Sequence, residues 1–191
     1  MTEKKAHPGN GRSVKAIAFI VFIIIAVGVI ILLQGKDALF KAPQKSRIAQ
    51  GFPAPTFIFP GLDGKAADLQ AYRGKVVFLN IWATWCPPCR EEMPSMERLY
   101  QELKGEDFEI LAVSIDTAGT TAVAPFMKKY HLSFPALLDP EGTMKNLYGV
   151  TGVPESFIIN REGIIEKIVI GPMDWATPEV VRFFRDLIQK K

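Results

Sequence analysis

The two cysteines of this chain of 191 residues stand three positions apart, in the tetrapeptide Cys86-Pro87-Pro88-Cys89. Accidental placement of two cysteines would give this spacing in only about one case in a hundred. Two thiols this close can form a disulfide with each other and can exchange it with another disulfide. The pair therefore predicts thiol-disulfide exchange, with Cys86 as the attacking nucleophile and Cys89 as the resolving thiol.

Other uses of the cysteine pair have less support in the sequence. A structural zinc site needs four ligands, but there is no second cysteine pair and the histidines are His7 and His131. A Cys-His nucleophile of the protease type would depend on His131 alone, and such a histidine is usually a surface or packing residue. A purely structural disulfide would close a ring too short to gain much loop entropy.

The pair should lie where a buried strand ends and a helix begins. The nearly continuous apolar run from Val76 to Trp82 is typical of a strand buried on both faces. Apolar residues recur at helical spacing from Met93 to Leu103. Because a helix N-terminus carries partial positive charge and unpaired N–H groups, it should stabilise a Cys86 thiolate, with Cys89 shielded one turn deeper.

The prolines of the motif suit this position. Pro87 and Pro88 lack N–H groups that would be unpaired at a helix start in any case. They also limit the backbone donors that reach the sulfur of Cys86, which should keep the dithiol on the reducing side. Pro94, inside the helical pattern, predicts a kink.

The remaining sequence alternates strand and helix patterns. A short hairpin is expected around Asp63-Gly64. Further along the chain, the patterns predict strands at 108–115, 156–160 and 164–170, a short extended segment at 134–138, and helices at 121–130 and 179–189. This order predicts an α/β fold with a mixed central sheet flanked by helices.

An apolar stretch stands near the N-terminus, where the eighteen residues from Ala16 to Leu33 carry no charge. At about 1.5 Å per residue, a helix of this length crosses a hydrocarbon core roughly 30 Å thick. The sequence thus predicts a cytoplasmic tail (1–15), a transmembrane signal-anchor helix (16–35), a linker (36–50) and a folded domain (51–191). A cleaved signal peptide is the alternative, but no small-x-small cleavage site follows the stretch.

Basic residues are concentrated at the same end of the chain. Residues 1–45 carry seven basic and two acidic side chains, which leaves the rest of the chain with a net charge of −2. A basic nucleic-acid-binding surface on the folded domain is therefore not expected. Because basic residues flank the apolar stretch almost equally, orientation rests on the redox motif, which suits an oxidising compartment and places the domain outside the cytoplasm.

Two strings together resemble a known group of proteins. VVFLNIWATWCPPCREEMP, followed some seventy residues later by GVPESFIIN, is similar to the TlpA/ResA/DsbE(CcmG) group of membrane-tethered thioredoxin-like reductases. The resemblance runs from about Gly51 to the C-terminus and implies a thioredoxin-like fold with an N-terminal β-hairpin extension. It also implies reduction of disulfides in exported proteins, often the haem-binding cysteines of apocytochromes c, with electrons from a membrane protein of the CcdA or DsbD kind. No cofactor or metal is expected.

Carried over residue by residue, the resemblance assigns catalytic roles to Cys86, Cys89 and Glu92. Glu92 would handle the proton of the second thiol, although spacing alone favours a solvated acid. Pro154 matches the family's cis-proline, whereas a trans turn proline would be the default. The backbone of Val153 would pair with the substrate chain as a short added strand.

The remaining site residues flank the cysteines. Trp85, Pro87 and Pro88 are assigned to the substrate-binding surface together with Val153 and Pro154. Asn80 stands where ordinary thioredoxin has a buried aspartate. Because an amide cannot take a proton, Glu92 or water is left as the proton acceptor.

Two other functions on the same fold have weaker support in the sequence. A Cu(I)-delivery module is the alternative, because soft thiolates favour Cu(I), but this role usually needs a third ligand and no His or Met is convincingly placed. A peroxidase is disfavoured because the Pro-x-x-x-Thr-x-x-Cys frame is absent around either cysteine.

Overall fold

A computed structural model describes residues 19–29 and 48–190, which lie in two separate units, Met1–Lys45 and Ser46–Lys191. In the first unit, residues 19–29 are helical. Among the residues described, no helix combines the length and the apolar character needed to cross a membrane. Of the transmembrane helix expected at 16–35, the structure describes residues 19–29. The expected tail (1–15) and most of the expected linker (36–50) lie outside the described residues.

The second unit begins with the hairpin expected around Asp63-Gly64. Strand β1 (Ile58–Pro60) pairs antiparallel with β2 (Ala66–Asp68). Gly64 lies in the turn at a φ of 77°, a left-handed conformation that glycine adopts without steric cost. A short 3₁₀ helix follows directly at Leu69–Tyr72.

Alternating strands and helices form the rest of the unit. In chain order they are β3 (Val76–Trp82), α1 (Pro87–Glu102), β4 (Phe108–Ser114), α2 (Thr120–Lys129), β5 (Ala136–Leu138), α3 (Thr143–Tyr148), β6 (Glu155–Ile159), β7 (Ile165–Ile170) and α4 (Pro178–Gln189).

The larger sheet has the strand order β5-β4-β3-β6-β7. Strand β3 pairs parallel with β4 and antiparallel with β6, so the sheet is mixed, as the sequence pattern predicts. All seven residues of β3 are buried. This burial follows from the position of β3 at the centre of a sheet covered on both faces.

The helices cover opposite faces of the sheet. Phe184 of α4 packs against Phe78 of β3, with ring centroids 5.8 Å apart. Tyr148 of α3 packs against Phe157 of β6 at 4.9 Å. Because Phe157 pairs with Leu79, the neighbour of Phe78, its side chain points to the other face.

Helix α3 is the α-helix of residues 48–190 that the sequence patterns did not predict; they did not predict the 3₁₀ helix at Leu69–Tyr72 either. It spans six residues, too few for a clear 3.6-residue period, and lies between Gly142 and Gly149, which both have a φ of 67°. The Asp139 carboxylate accepts hydrogen bonds from the N–H groups of Thr143 and Met144, each at 2.8 Å. These contacts satisfy the free donors of its first turn.

Candidate active site

The cysteines lie at the junction of β3 and α1, where Cys86 is the N-cap residue of the helix. Cys86 and Cys89 form a disulfide, with their Cα atoms 5.3 Å apart. The Sγ atom of Cys86 accepts a hydrogen bond from the N–H of Cys89 at 3.2 Å. An N-cap side chain can accept from the second or third helical residue, but the second is Pro88, which has no N–H. Helix α1 continues through Pro94, and the kink expected there stays a prediction.

The sulfur atoms are almost fully covered in this oxidised state. Cys86 is 2% exposed and Cys89 is 0% exposed, so the small exposed part of the pair is on the side of Cys86. That side opens into a groove of about 370 Å³, lined by Trp85, Cys86, Pro87, Pro88, Ile115, Lys145, Thr151, Gly152 and Val153. The fold thus brings four of the five residues assigned to substrate binding together beside Cys86, whereas Pro154 is buried behind the groove wall.

The loop before β6 forms one wall of this groove. The peptide bond between Val153 and Pro154 is cis, as the family resemblance implies. The carbonyl oxygen of Val153 lies 3.5 Å from the Sγ of Cys86. The carbonyl oxygen of Pro154 accepts a hydrogen bond from Gly171 at 2.9 Å, which ties the loop to the end of β7.

Glu92 is buried, contrary to what its spacing from Cys89 alone would favour, and is 2% exposed. Its Oε1 accepts a hydrogen bond from Asn80 at 2.9 Å and its Oε2 accepts one from Trp175 at 2.8 Å. Burial raises the pKa of Glu92 to about 7, and the two side-chain hydrogen bonds oppose that rise. The carboxyl group can therefore take up or release a proton near neutral pH.

Asn80 connects three elements below the disulfide. Its side-chain amide donates to Glu92 and also to the hydroxyl of Ser156 in β6, at 2.9 Å each. Within the described residues, its side-chain carbonyl has no hydrogen-bond partner. The structure shows that Asn80 holds the acid of the site in place. As the sequence indicated, Asn80 has no titratable proton itself.

Asp116 is a site residue that the sequence analysis missed. Its carboxylate accepts hydrogen bonds from the N–H of Thr84 at 2.8 Å and from the hydroxyl of Thr84 at 2.6 Å. The hydroxyl of Ser114 donates to it at 2.6 Å. These contacts fix the segment that carries Trp85. The only signal in the sequence is an aspartate two residues after a buried strand.

Two further residues near the site were also missed. Trp175 bonds to Glu92 from 83 positions away along the chain, a distance at which spacing carries no signal. Glu155 follows Pro154 and is 6% exposed, and burial raises its pKa. Among the described residues, one of its carboxylate oxygens has no hydrogen-bond partner.

A Cys-x-x-Cys disulfide at the start of a helix, next to a cis-proline loop and a mixed sheet, defines a thioredoxin-like thiol-disulfide oxidoreductase. The chain belongs to the AhpC/TSA family, whose model matches residues 51–168. It is 38% identical over 145 residues to the thiol-disulfide oxidoreductase ResA of Bacillus subtilis (strain 168). The matched region covers 76% of this chain and 79% of that relative.

Solved structures agree with this assignment. A thiol:disulfide interchange protein of the thioredoxin family from Chlorobium tepidum TLS is 27% identical, with a TM-score of 0.64 over 73% of this chain and 98% of its own. StoA from Bacillus subtilis is 26% identical, with a TM-score of 0.58 over 70% of this chain and 96% of its own. The fold and the enzyme class predicted from the cysteine pair and its flanking motifs are therefore confirmed.

Proposed function

We propose that this oxidoreductase works as a reductase of disulfides in exported proteins, the haem-binding cysteines of apocytochromes c being one such substrate. The direction is supported by the backbone around the Cys86 sulfur, where Cys89 donates a hydrogen bond but Pro87 and Pro88 have no N–H to donate. Fewer donors stabilise a thiolate less, so the disulfide form is favoured and the dithiol gives up its electrons more readily.

Turnover begins with both cysteines reduced. The Cys86 thiolate, at the positive end of α1, attacks one sulfur of a substrate disulfide that lies in the groove beside Trp85 and Val153. The substrate S–S bond breaks, a mixed disulfide with Cys86 forms, and the other substrate sulfur leaves as a thiolate that takes a proton from solvent. The backbone of Val153 pairs with the substrate chain during this step.

The second step needs Cys89 to lose its proton. Glu92 lies three residues later on the same helix, and its pKa of about 7 lets the carboxylate accept that proton near neutral pH. The Cys89 thiolate then attacks Cys86, the mixed disulfide breaks, and the second substrate sulfur is released as a thiolate. The protein is left with the Cys86–Cys89 disulfide seen in the structure.

Two electrons must then return to the disulfide from another dithiol. We assign this step to a membrane thiol-disulfide relay protein of the CcdA or DsbD kind. Residues 16–35 would hold the chain in the membrane as a single-pass anchor, with residues 1–15 in the cytoplasm and the domain on the outer side. Such an anchor keeps the domain close to a membrane-bound donor.

A trapping experiment tests the mechanism. In the full-length Cys89→Ser variant, the mixed disulfide on Cys86 cannot be resolved, so exported proteins should remain attached and be released by reductant on gels. The Cys86→Ser variant is the matched control and should trap none. Equal trapping by the two variants would remove the support for Cys86 as the nucleophile.

The reduction potential tests the direction of electron flow. A reduction potential of the Cys86–Cys89 couple near that of thioredoxin, about −270 mV, agrees with a reductase, whereas a potential near −120 mV would indicate an oxidase. Equilibration of the protein with glutathione or dithiothreitol buffers gives this value directly.

Membrane attachment is tested by fractionation of cells that express the full chain. The protein should stay with membranes after an alkaline carbonate wash. A variant with Ile23→Lys and Ile24→Lys should be released, because two charges inside the apolar stretch oppose insertion. Release of the unchanged protein would contradict the proposed anchor.

A further inference from the structure

We propose that Trp175, in the loop between β7 and α4, is a positioning residue whose indole N–H orients the Glu92 carboxylate and favours its charged form. This inference rests on the proposed role of Glu92 as the proton acceptor for Cys89. It assigns to the loop after β7 a part in the resolving step, although that loop contributes no residue to the groove over Cys86.

The geometry at Trp175 separates a packing role from a hydrogen-bonding role. The residue is 1% exposed, and its ring lies 4.3 Å from that of Phe78, centroid to centroid. A phenylalanine could fill much of the same space. The indole N–H, however, donates to the Oε2 of Glu92 at 2.8 Å, a contact that a phenylalanine ring cannot make.

A second contact holds the same loop against α1. The backbone N–H of Trp175 donates to the hydroxyl of Ser95 at 3.1 Å. That hydroxyl donates to the backbone carbonyl of Glu92 at 2.7 Å. The loop is therefore attached to α1 at Ser95 as well as at the Glu92 carboxylate, which limits the movement of the indole relative to the acid.

Glu92 receives neutral donors on both oxygens, Trp175 on one side and Asn80 on the other. On the sheet side, the polar side chains in this hydrogen-bonded chain are uncharged: Asn80 of β3 bonds to Glu92, and Ser156 of β6 bonds to Asn80.

The titratable or charged neighbours of Glu92 come from α1 and from the loop after β7. One is Cys89 in its reduced state. The others share a cavity of about 320 Å³ with Glu92, namely Glu91, Arg98 and Asp174.

These charged neighbours do not replace the indole. Arg98 and Asp174 pair with each other at 3.5 Å and are each 60% exposed, so solvent screens their effect. The protonation state of Glu92 is thus set by burial, which favours the neutral form, against the hydrogen bonds of two side-chain donors, Trp175 and Asn80, and a weaker hydrogen bond from the backbone of Met173, which favour the charged form. Removal of one of these two donors should shift the balance measurably.

The experiment compares two Trp→Phe variants of the full-length oxidised protein. Carbon-13 NMR of the Glu92 carboxyl group should give a midpoint near 7 in the wild type and a midpoint higher by roughly one pH unit in Trp175→Phe. The control is Trp82→Phe, since Trp82 is also buried but its indole N–H has no partner in the described structure. Trp82→Phe should keep the wild-type midpoint, and the same midpoint in Trp175→Phe would overturn the proposal.

A second measurement needs no substitution at Trp175. In the wild type, the indole N–H resonance of Trp175 should move with the titration of Glu92, while that of Trp82 should not. In Glu92→Gln, the Trp175 resonance should no longer titrate around pH 7. A pH-independent Trp175 resonance in the wild type would contradict the contact and thereby the proposal.

Kinetics separate this inference from the proposed function. If Glu92 accepts the proton of Cys89, the pH profile for resolution of a preformed mixed disulfide should change in Glu92→Gln. If that profile is unchanged, the proposed proton step fails. If the profile changes in Glu92→Gln, but Trp175→Phe keeps the wild-type profile and the wild-type Glu92 midpoint, the proposed role of Trp175 is wrong. The proposed role of Glu92 then still stands.

Discussion

The carboxyl group of Glu92 couples the site to pH through its burial. Its pKa in the folded protein is about 7, above the ordinary value of 4.5. Folding is therefore favoured while the group is protonated. The raised pKa of Glu92 adds about 3 kcal/mol to the free energy of unfolding at low pH. This stabilisation is fully present below about pH 4.5 and is lost as the pH rises through about 7. Because the buried Glu92 destabilises the fold when it is ionised, its position fits a role in proton transfer better than a role in stability.

We predict that Glu92→Gln removes this pH dependence in the oxidised protein. The substitution disturbs one hydrogen bond at every pH, because an amide cannot accept on both sides, and this adds a constant offset. The difference in unfolding free energy between variant and wild type should still move in favour of the variant by about 3 kcal/mol between pH 4.5 and pH 8.5. Urea unfolding at a series of pH values measures it.

Glu91→Gln is the matched control for this experiment. Glu91 is the exposed neighbour of Glu92 on α1, so the variant should follow the wild-type dependence of stability on pH. Parallel curves for the wild type and Glu92→Gln would show that Glu92 has the same pKa in the folded and unfolded states.

At the scale of the element, helix α1 sets the redox character of the dithiol through its first turn. Cys86 caps the helix with its sulfur, and Cys89 at the third helical position supplies the hydrogen bond. Pro88 occupies the second position, from which an N–H could also reach the cap. The first turn of α1 therefore stabilises the Cys86 thiolate less than a helix start without proline at the second position would.

We predict that Pro88→Ala makes the couple more oxidising. The restored N–H adds a donor to the Cys86 thiolate, which stabilises the reduced form and raises the reduction potential by on the order of 30 mV, about 1.4 kcal/mol. Pro87→Ala is the control, since the first helical N–H does not point at the cap side chain and should leave the potential nearly unchanged. Redox titration in glutathione buffers measures both, and equal shifts would contradict the role of the second position.

At the scale of the whole molecule, the last helix closes the core next to the active site. Phe184 of α4 is fully buried and packs on Phe78 and Phe108. Phe78 in turn contacts Trp175, so the aromatic core extends from the C-terminal helix to the loop beside Glu92. Stability of the domain and placement of the acid thus share a set of contacts.

We predict that Phe184→Ala lowers the free energy of unfolding by about 3 to 5 kcal/mol, because the side chain leaves a cavity that close-packed neighbours cannot fill. Phe183→Ala, the partly exposed neighbour on the same helix, should cost much less. Denaturant unfolding of the two variants under oxidising conditions provides the comparison. Similar losses for both would show that Phe184 is not the residue through which α4 packs on the core.

The sequence by itself determined the reactive pair and the elements that carry it. The predicted strand from Val76 to Trp82 has the bounds of β3, and the helix after Cys86 was expected from its apolar spacing. Such features are local, because strand and helix periods and the missing N–H groups of proline act within a few residues. The placement of Pro154 beside the cysteines came from the family resemblance.

Only the tertiary structure decided the surroundings of Glu92. Spacing favoured a solvated acid, whereas packing of α1 on β3 and of the loop after β7 buries it between Asn80 and Trp175. The contact between Asp116 and Thr84 likewise joins residues 32 positions apart. Contacts over such separations depend on how elements pack, and packing leaves no periodic signal in a single sequence.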